Sequence, residues 1–304
     1  MLDFHKVLNT VDPAVSGLHV MSEKDMDALH SVLLEMLLDI DAVCRANGIK
    51  WGLTGGTALG AIRHKGFIPW DDDIDIAMDR VNYEKFLKVF PGTFADKYHF
   101  RIPGDQGYVM NIPRIYRVGT AFRGIVTSED CDHEIFCDVF VLENCDDVIP
   151  LRVVHGLQCM AYRFIASCVR VNACAPTLRR YASANPELDH ALAVRSCWAK
   201  LFSWRSVERW MAATFACYSR VRHGESEYVV SPAGRAHFFG ELYRREDMCR
   251  YVRVPFEGHD LPVPAGWKSL LRQLYGDDYM EMPPAEKRES HVAIEFRAET
   301  HENE

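Results

Sequence analysis

Four of the five residues from Asp71 to Asp75 are aspartates, and the fifth is Ile74. Asp73 and Asp75 alternate with apolar residues in a pattern that predicts a β-strand over 73–78, with both carboxylates on one face. Four acids this close repel one another unless a cation lies among them. Hard oxygen ligands favour Mg²⁺ or Mn²⁺, ions that neutralise phosphates during phosphoryl transfer. We therefore interpret Asp73 and Asp75 as catalytic metal ligands, and leave open whether Asp71 and Asp72 bind metal or only orient the loop.

A glycine pair precedes the acidic strand. Glycine has no Cβ, so its backbone can approach a phosphate closely, and the N–H groups at the start of a following helix (predicted near 58–63) attract an anion. Cations just after this helix can reach further phosphate oxygens. A Gly-Gly pair also fits an ordinary turn, and His64 fits a phosphate contact as well as a role in orienting the acidic loop. The candidate phosphate-binding residues are Thr54, Gly55, Gly56, Thr57, Arg63, His64 and Lys65.

A third acid, Asp138, lies between Phe136 and Phe140 on one face of another predicted strand. An unpaired charge is costly in such surroundings, so a metal ion or an arginine is the expected partner. Arg114 and Arg117 are the candidate arginines. Asp138 also fits the role of a general base toward an acceptor hydroxyl, and the sequence does not separate these roles.

The segment GLTGGTALGAIRHKGFIPWDDDIDIAMDR, residues 52–80, closely resembles the signature of the LicD family of phosphotransferases. Weaker likeness extends over 112–122, 135–142 and the closing segment YGDDYMEMPPAEKRESH. The tail departs from the family's usual YGDYM by one extra acid at Asp277-Asp278. Tyr275, Tyr279 and Met280 there fit either an acceptor or base pocket or simple packing.

The resemblance implies the nucleotidyltransferase fold, shared with polymerase-beta-like enzymes and the fukutin group. It also implies Mg²⁺ or Mn²⁺ bound by Asp73, Asp75 and Asp138. The implied reaction transfers a phosphocholine-like group from a CDP-linked donor such as CDP-choline to a hydroxyl of a cell-surface glycan. Lipopolysaccharide, teichoic acid or a lipid-linked precursor would be the acceptor. The alternative is a nucleotidyltransferase that uses a nucleoside triphosphate on a sugar, protein or small molecule, whereas intact acids disfavour a silent nucleotide-sensing module.

The chain has 304 residues, 48% of them hydrophobic and 26% charged, as expected of an ordinary globular protein. Its net charge of −8 argues against nucleic acid as a partner. The most apolar segment, 151–171, contains arginines and a histidine and therefore predicts no membrane-spanning helix, although peripheral membrane contact fits. The absence of a secretory signal favours a cytoplasmic enzyme with reduced cysteines.

The periodicity predicts an α/β (α+β) fold with a mainly helical second half. The resemblance implies in addition a nucleotidyltransferase-like mixed sheet flanked by helices. We place a nucleotidyltransferase-like catalytic core at 1–149, and a helical region with a C-terminal segment that completes the site at 150–304. A long helix is predicted over 22–46, because apolar residues recur there at three- and four-residue steps. Whether the soft ligands Cys131, His133, Cys137 and Cys145 bind zinc is left open.

Overall fold

The computed structural model describes residues 18–124, 132–182, 186–222, 224–284 and 292–298. The helices in these ranges are α1 (Glu23–Ala46), α2 (Gly55–Arg63), α3 (Arg80–Thr93), α4 (Ile149–Ala173), α5 (Ala175–Ala182), α6 (Pro186–Leu201), α7 (Val207–Tyr218), α8 (His237–Gly240), α9 (Arg245–Met248) and α10 (Trp267–Tyr275). The strands are β1 (His19–Val20), β2 (Gly52–Leu53), β3 (Ile74–Asp79), β4 (Tyr98–Arg101), β5 (Arg114–Arg117), β6 (Ala121–Arg123), β7 (Phe136–Asn144), β8 (Tyr228–Val230), β9 (Leu242–Arg244), β10 (Tyr251–Phe256), β11 (His259–Pro264), β12 (Val292–Ala293) and β13 (Glu295–Arg297).

A mixed sheet with the strand order β2-β3-β7-β5-β4 forms the centre of the fold. β3 and β7 pair in parallel, and the other neighbours on this path are antiparallel. The far end of β7 pairs with β8, which pairs with β9. Helices α1 and α3 pack against the sheet. The predicted mixed sheet flanked by helices is therefore confirmed.

Helix α1 begins where its sequence provides a capping box. The Ser22 hydroxyl accepts a hydrogen bond from the Asp25 N–H, and the Asp25 carboxylate accepts one from the Ser22 N–H. The apolar face of the helix is fully buried, with Leu29, Leu33 and Ile40 at 0% exposure. The helix predicted for 22–46 is confirmed, and its apolar face supplies a large part of the core.

Strands β3 and β7 divide their side chains between the core and the site. Ile74 and Ile76 are fully buried on one face of β3, together with Val139 of β7. The alternating residues Asp75 and Asp138 therefore point to the opposite face, because successive side chains of a strand alternate. The apolar residues thus fix which way both acids face.

The second half begins with the helices α4 to α7 and then returns to the sheet. The hairpin of β10 and β11 packs against β2 and α2, and α10 packs against α2. The mainly helical second half is confirmed, and the β10–β11 hairpin follows its long helices. Helix α2 begins at Gly55 rather than near Ala58, so the glycine pair is its first turn. None of the helices in the described ranges combines the length and the apolar character that crossing a membrane requires.

Candidate active site

Three carboxylates meet at the edge where β3 begins. Asp75 and Asp138 are register partners on the parallel strands β3 and β7, and Asp73 directly precedes β3. Ligand oxygens of these three residues all lie within 4.8 Å of one another. Asp71, Asp72 and Asp73 form a second, overlapping group within the same distance. The structure therefore brings together the acids that the sequence singled out.

The glycine pair allows two of these acids to lie against the start of α2. A β-carbon at Gly55, whose φ is +54°, would lie 2.3 Å from Oδ2 of Asp75. A β-carbon at Gly56 would lie 2.7 Å from Oδ2 of Asp71. The N-terminus of a helix carries a partial positive charge and stabilises nearby carboxylates. Glycine is thus needed at positions 55 and 56 to make room for the carboxylates of Asp75 and Asp71.

The two threonines beside the glycines interact with the backbone of Asp75. The Thr54 N–H donates to the carbonyl oxygen of Asp75 at 3.0 Å. The Asp75 N–H donates to Oγ1 of Thr57 at 2.8 Å, and Thr57 is only 3% exposed. Both contacts fix the backbone position of Asp75. A phosphate contact for either hydroxyl stays a prediction.

Asp138 pairs with Arg114 rather than with Arg117. The Arg114 guanidinium donates through Nε to Oδ1 and through Nη2, at 3.0 Å, to Oδ2 of Asp138. The two residues face each other in the register of β5 and β7. Arg117 donates instead to the carbonyl oxygen of Val118 at 3.1 Å. This bidentate pair fixes the carboxylate of Asp138 while leaving it within reach of Asp73 and Asp75.

The charges of Asp73 and Asp75 are only partly offset, by the nearby Arg114, within the described part of the chain. None of the described residues forms an ion pair with Asp73 or Asp75. Burial raises the pKa of Asp73 well above its ordinary value, and the charges of Asp75 and Asp71 add to the effect. Burial and the charge of Asp138 likewise raise the pKa of Asp75. A carboxylate-only donor set with excess negative charge fits a hard divalent cation such as Mg²⁺ or Mn²⁺.

Of the two predicted phosphate cations, Arg63 lies near the acids and its guanidinium already has contacts in the protein. Nη1 of Arg63 donates to the carbonyl oxygens of Tyr279 and Glu281, both at 3.0 Å. Lys65 is exposed, has a φ of +59°, and its carbonyl accepts a hydrogen bond from the Glu257 N–H at 2.9 Å. Arg63 therefore attaches the C-terminal segment to α2, and its role toward a phosphate stays a prediction.

His64 packs edge-on against Trp70, with ring centroids 6.3 Å apart. Within the described part of the chain, its buried Nε2 has no hydrogen-bond partner. Partial burial and the neighbouring charge of Arg63 lower the pKa of His64, which favours the neutral ring. This geometry is compatible with both predicted roles of His64, which are a hydrogen bond to a ligand and support of the acidic loop.

Two distant residues that the sequence analysis did not single out contact the segment that joins α2 to β3. Nε2 of His30 lies 2.8 Å from the carbonyl oxygen of Asp71. The Phe67 N–H donates to Oε1 of Glu257 at 3.0 Å, and a β-carbon at Gly66 would lie 1.9 Å from the same oxygen. These contacts span 41 and 190 residues of sequence. No local pattern signals them.

Tyr275, at the end of α10, faces the acids from the C-terminal segment. Burial raises the pKa of its phenol, and the charges of Asp75 and Asp71 raise it further. Its hydroxyl is therefore protonated and can donate a hydrogen bond. Together with the contact of Arg63 to Tyr279, this places the C-terminal segment at the border of the site.

The cysteines considered as a zinc site do not converge. Cys137 lies near the start of the nine-residue strand β7, and Cys145 follows its end, so that about 25 Å separates them. Sγ of Cys145 donates to the carbonyl oxygen of Tyr228 at 3.3 Å. Cys131 lies outside the described residues. Cys137 and Cys145 therefore cannot bind one ion together.

The glycine-and-acid segment is also the part of the chain that matches a known family. Residues 48–115 match the family described as LicD/FKTN/FKRP, nucleotidyltransferase domain. The chain contains a LicD-family domain. The matched range contains Gly55, Asp73 and Asp75, while Asp138 comes from a strand beyond it.

Proteins similar to this chain include enzymes named for the transfer of phosphorylated groups. Lipopolysaccharide cholinephosphotransferase LicD of Haemophilus influenzae is 28% identical over 263 residues, which cover 86% of this chain and 93% of that protein. Human ribitol 5-phosphate transferase FKRP is 38% identical over 61 residues, 19% of this chain and 12% of that protein. An uncharacterised protein of Rickettsia prowazekii is 38% identical over 89 residues, 28% of this chain and 29% of that protein. The first similarity extends well beyond the matched domain.

Proposed function

We propose that this LicD-type phosphotransferase moves a phospho-substituent, phosphocholine in the first instance, from a CDP-linked donor to a hydroxyl of a cell-surface glycan or its precursor. The observation that carries the proposal is the convergence of Asp73, Asp75 and Asp138 within 4.8 Å at the start of α2. The similarity to the lipopolysaccharide cholinephosphotransferase over most of both chains supports the choice of group and acceptor. The FKRP relative, named for ribitol 5-phosphate transfer, supports the same general reaction.

Asp73, Asp75 and Asp138 would hold Mg²⁺ or Mn²⁺, which would neutralise charge on the diphosphate of the donor. Asp75 is set for this role because its backbone is fixed on both sides and its carboxylate lies beside the first turn of α2. Arg114 orients Asp138 and limits its freedom to swing away. The protein's part is therefore to position rigid oxygen ligands around the diphosphate.

In the proposed reaction, the acceptor oxygen forms a bond to the phosphorus that carries the transferred group. The bond from that phosphorus to the bridging oxygen breaks, and nucleoside monophosphate leaves with the bond's electron pair. The acceptor hydroxyl loses its proton to a base, and Asp138 is the candidate for that role if Asp73 and Asp75 alone hold the metal. The backbone N–H groups of Gly55 and Gly56, at the start of α2, are the candidate contacts for the leaving phosphate.

The deciding experiment measures release of nucleoside monophosphate from CDP-choline and from other CDP- and UDP-linked donors, with Mg²⁺ or Mn²⁺ and a glycan acceptor. We expect metal-dependent release by the wild type and none by Asp73→Asn. Asp189→Asn, which removes an exposed carboxylate on α6, is the matched control and should behave like the wild type. Because Asp73 sits among repelling acids, Asp73→Asn should fold at least as stably as the wild type.

Two results would contradict the proposal. Full activity of a folded Asp73→Asn variant would remove Asp73 from the mechanism. Release of pyrophosphate from plain nucleoside triphosphates, with no response to any diphospho donor, would favour the alternative of nucleotidyl transfer to a sugar, protein or small molecule.

A further inference from the structure

A second group of metal-ligating side chains lies in the helical half, away from the acidic site. His155 and Cys159 are four residues apart on α4 and therefore share one face of that helix. Cys217 reaches the same point from α7, which packs along α4. One ligand atom from each of these residues lies within 4.8 Å of the other two.

The separation of the sulfur atoms matches metal coordination. Sγ of Cys159 and Sγ of Cys217 are 3.9 Å apart. Two thiolates bound to one tetrahedral Zn²⁺ at about 2.3 Å each lie about 3.8 Å apart. A disulfide requires about 2.0 Å between the sulfur atoms and would have to draw the two helices or side chains together.

One ring nitrogen of His155, Nδ1, has no hydrogen-bond partner among the described residues. His155 is 2% exposed, and its Nε2 lies 2.8 Å from the carbonyl oxygen of Cys217. In the tautomer that donates this bond, Nδ1 keeps its lone pair. A histidine ligand whose other nitrogen donates to a backbone carbonyl is a common arrangement in zinc sites.

Cys217 gives the group access to solvent. It is partly exposed at a groove that Gln158, Tyr162 and Arg220 also line. A metal ion binds cysteine as the thiolate, so binding at this group would release the thiol protons.

We infer that His155, Cys159 and Cys217 bind one soft divalent cation of the Zn²⁺ class, which joins α4 to α7 and keeps its fourth coordination position open to the groove. This site is chemically distinct from the acidic site, whose oxygen ligands select hard cations. It does not depend on the proposed transferase function.

Cobalt is the probe, because only thiolate ligands give Co²⁺ an intense charge-transfer absorption in the near ultraviolet. The titration is made in the Asp73→Asn background, so that the acidic site does not compete for the ion, and with a reductant that is not a thiol. We expect one equivalent of Co²⁺ to give this absorption and one equivalent of Zn²⁺ to remove it. Adding Cys217→Ser should abolish it, whereas Cys168→Ser, a buried cysteine (1% exposed) further along α4, should leave it unchanged.

A measurement without cysteine variants guards against failure to fold. Zn²⁺ should slow alkylation of Cys217 by iodoacetamide about tenfold or more, since a metal-bound thiolate is no longer free to react. Peptide mass spectrometry reads the rate at Cys217 and, as an internal reference, at the exposed Cys197. Absence of the charge-transfer absorption in the Asp73→Asn protein, its persistence after Cys217→Ser, or equal alkylation with and without Zn²⁺ would each overturn the inference.

Discussion

A β-carbon at Gly55 would lie 2.3 Å from Oδ2 of Asp75, closer than two such atoms can approach. The carboxylate of Asp75 thus occupies the space that any other residue at position 55 would fill. Because the backbone of Asp75 is held by Thr54 and Thr57, the carboxylate has little freedom to give way. The position of the Asp75 carboxylate therefore requires glycine at position 55.

Gly55→Ala should therefore displace the Asp75 carboxylate and lower kcat/KM by about a hundredfold, as a misplacement of about 1 Å can do. Gly48→Ala is the matched control, because Gly48 has a φ of +62° but nothing within 4 Å of its β-carbon position. Both changes should cost about 1–2 kcal/mol of stability through the left-handed backbone alone. Equal kcat/KM values in the two variants, measured with CDP-choline, would contradict the role of the contact.

The acids could be predicted from sequence because their positions follow from local alternation. Ile74 and Ile76 bury one face of β3, which leaves Asp73 and Asp75 on the other side. Asp138 was marked by a different pattern, because Phe136 and Phe140 share its strand face and make an unpaired charge there costly. That these three acids converge follows once β3 and β7 pair in parallel.

The partners of the site could not be predicted, because they depend on pairing between distant segments. Arg114 rather than Arg117 meets Asp138 because the register of β5 against β7 places it there. The hydrogen bond from the Phe67 N–H to Glu257 depends on how the β10–β11 hairpin packs on α2. The pattern of His155 and Cys159 on one helix face is readable, but the arrival of Cys217 is not.

Arg114→Met should destabilise the protein, because it removes one partner of the buried ion pair with Asp138. Both side chains are largely buried, with 16% exposure for Arg114 and 10% for Asp138. Removing Arg114 leaves the buried charge of Asp138 without its partner. In the absence of divalent cation, this should lower the free energy of unfolding by about 3–5 kcal/mol. Saturating Mg²⁺ should recover part of this loss, because a cation can replace the guanidinium. Arg244→Met, which breaks the exposed pair with Glu246, should cost no more than about 1 kcal/mol. Urea denaturation with and without Mg²⁺ measures both, and equal losses in the two variants would argue against the buried pair.

Arg63→Met should release the C-terminal segment from α2. Its guanidinium donates to the carbonyl oxygens of Tyr279 and Glu281, and no methionine can replace these bonds. Amide hydrogen exchange over residues 276–284 should become faster. Arg272→Met serves as control, because it removes an exposed ion pair with Asp277 in the same region. If exchange over 276–284 is the same in Arg63→Met and the wild type, Arg63 does not hold the segment.

Glu241 should make stability depend on pH. It is 5% exposed, and burial raises the pKa of its carboxyl from 4.5 to about 7. The native state therefore binds more protons than the unfolded state between these values, so this group's contribution to stability falls as pH rises through them. Glu241→Gln removes the titration and keeps an acceptor for the Ala236 N–H. The stability of the variant relative to the wild type should thus rise by up to about 3 kcal/mol between about pH 4.5 and about pH 7 and stay level outside that window.

The comparison for Glu241 requires chelator in the buffer, so that metal binding at the acidic site does not add its own pH dependence. Glu246→Gln, which changes an exposed glutamate close by in the sequence, should leave the pH profile unchanged. Urea denaturation at a series of pH values gives the free energy of unfolding for all three proteins. The difference in stability between Glu241→Gln and the wild type could instead stay constant or shrink as pH rises. Either result would show that folding does not raise the pKa of the Glu241 carboxyl.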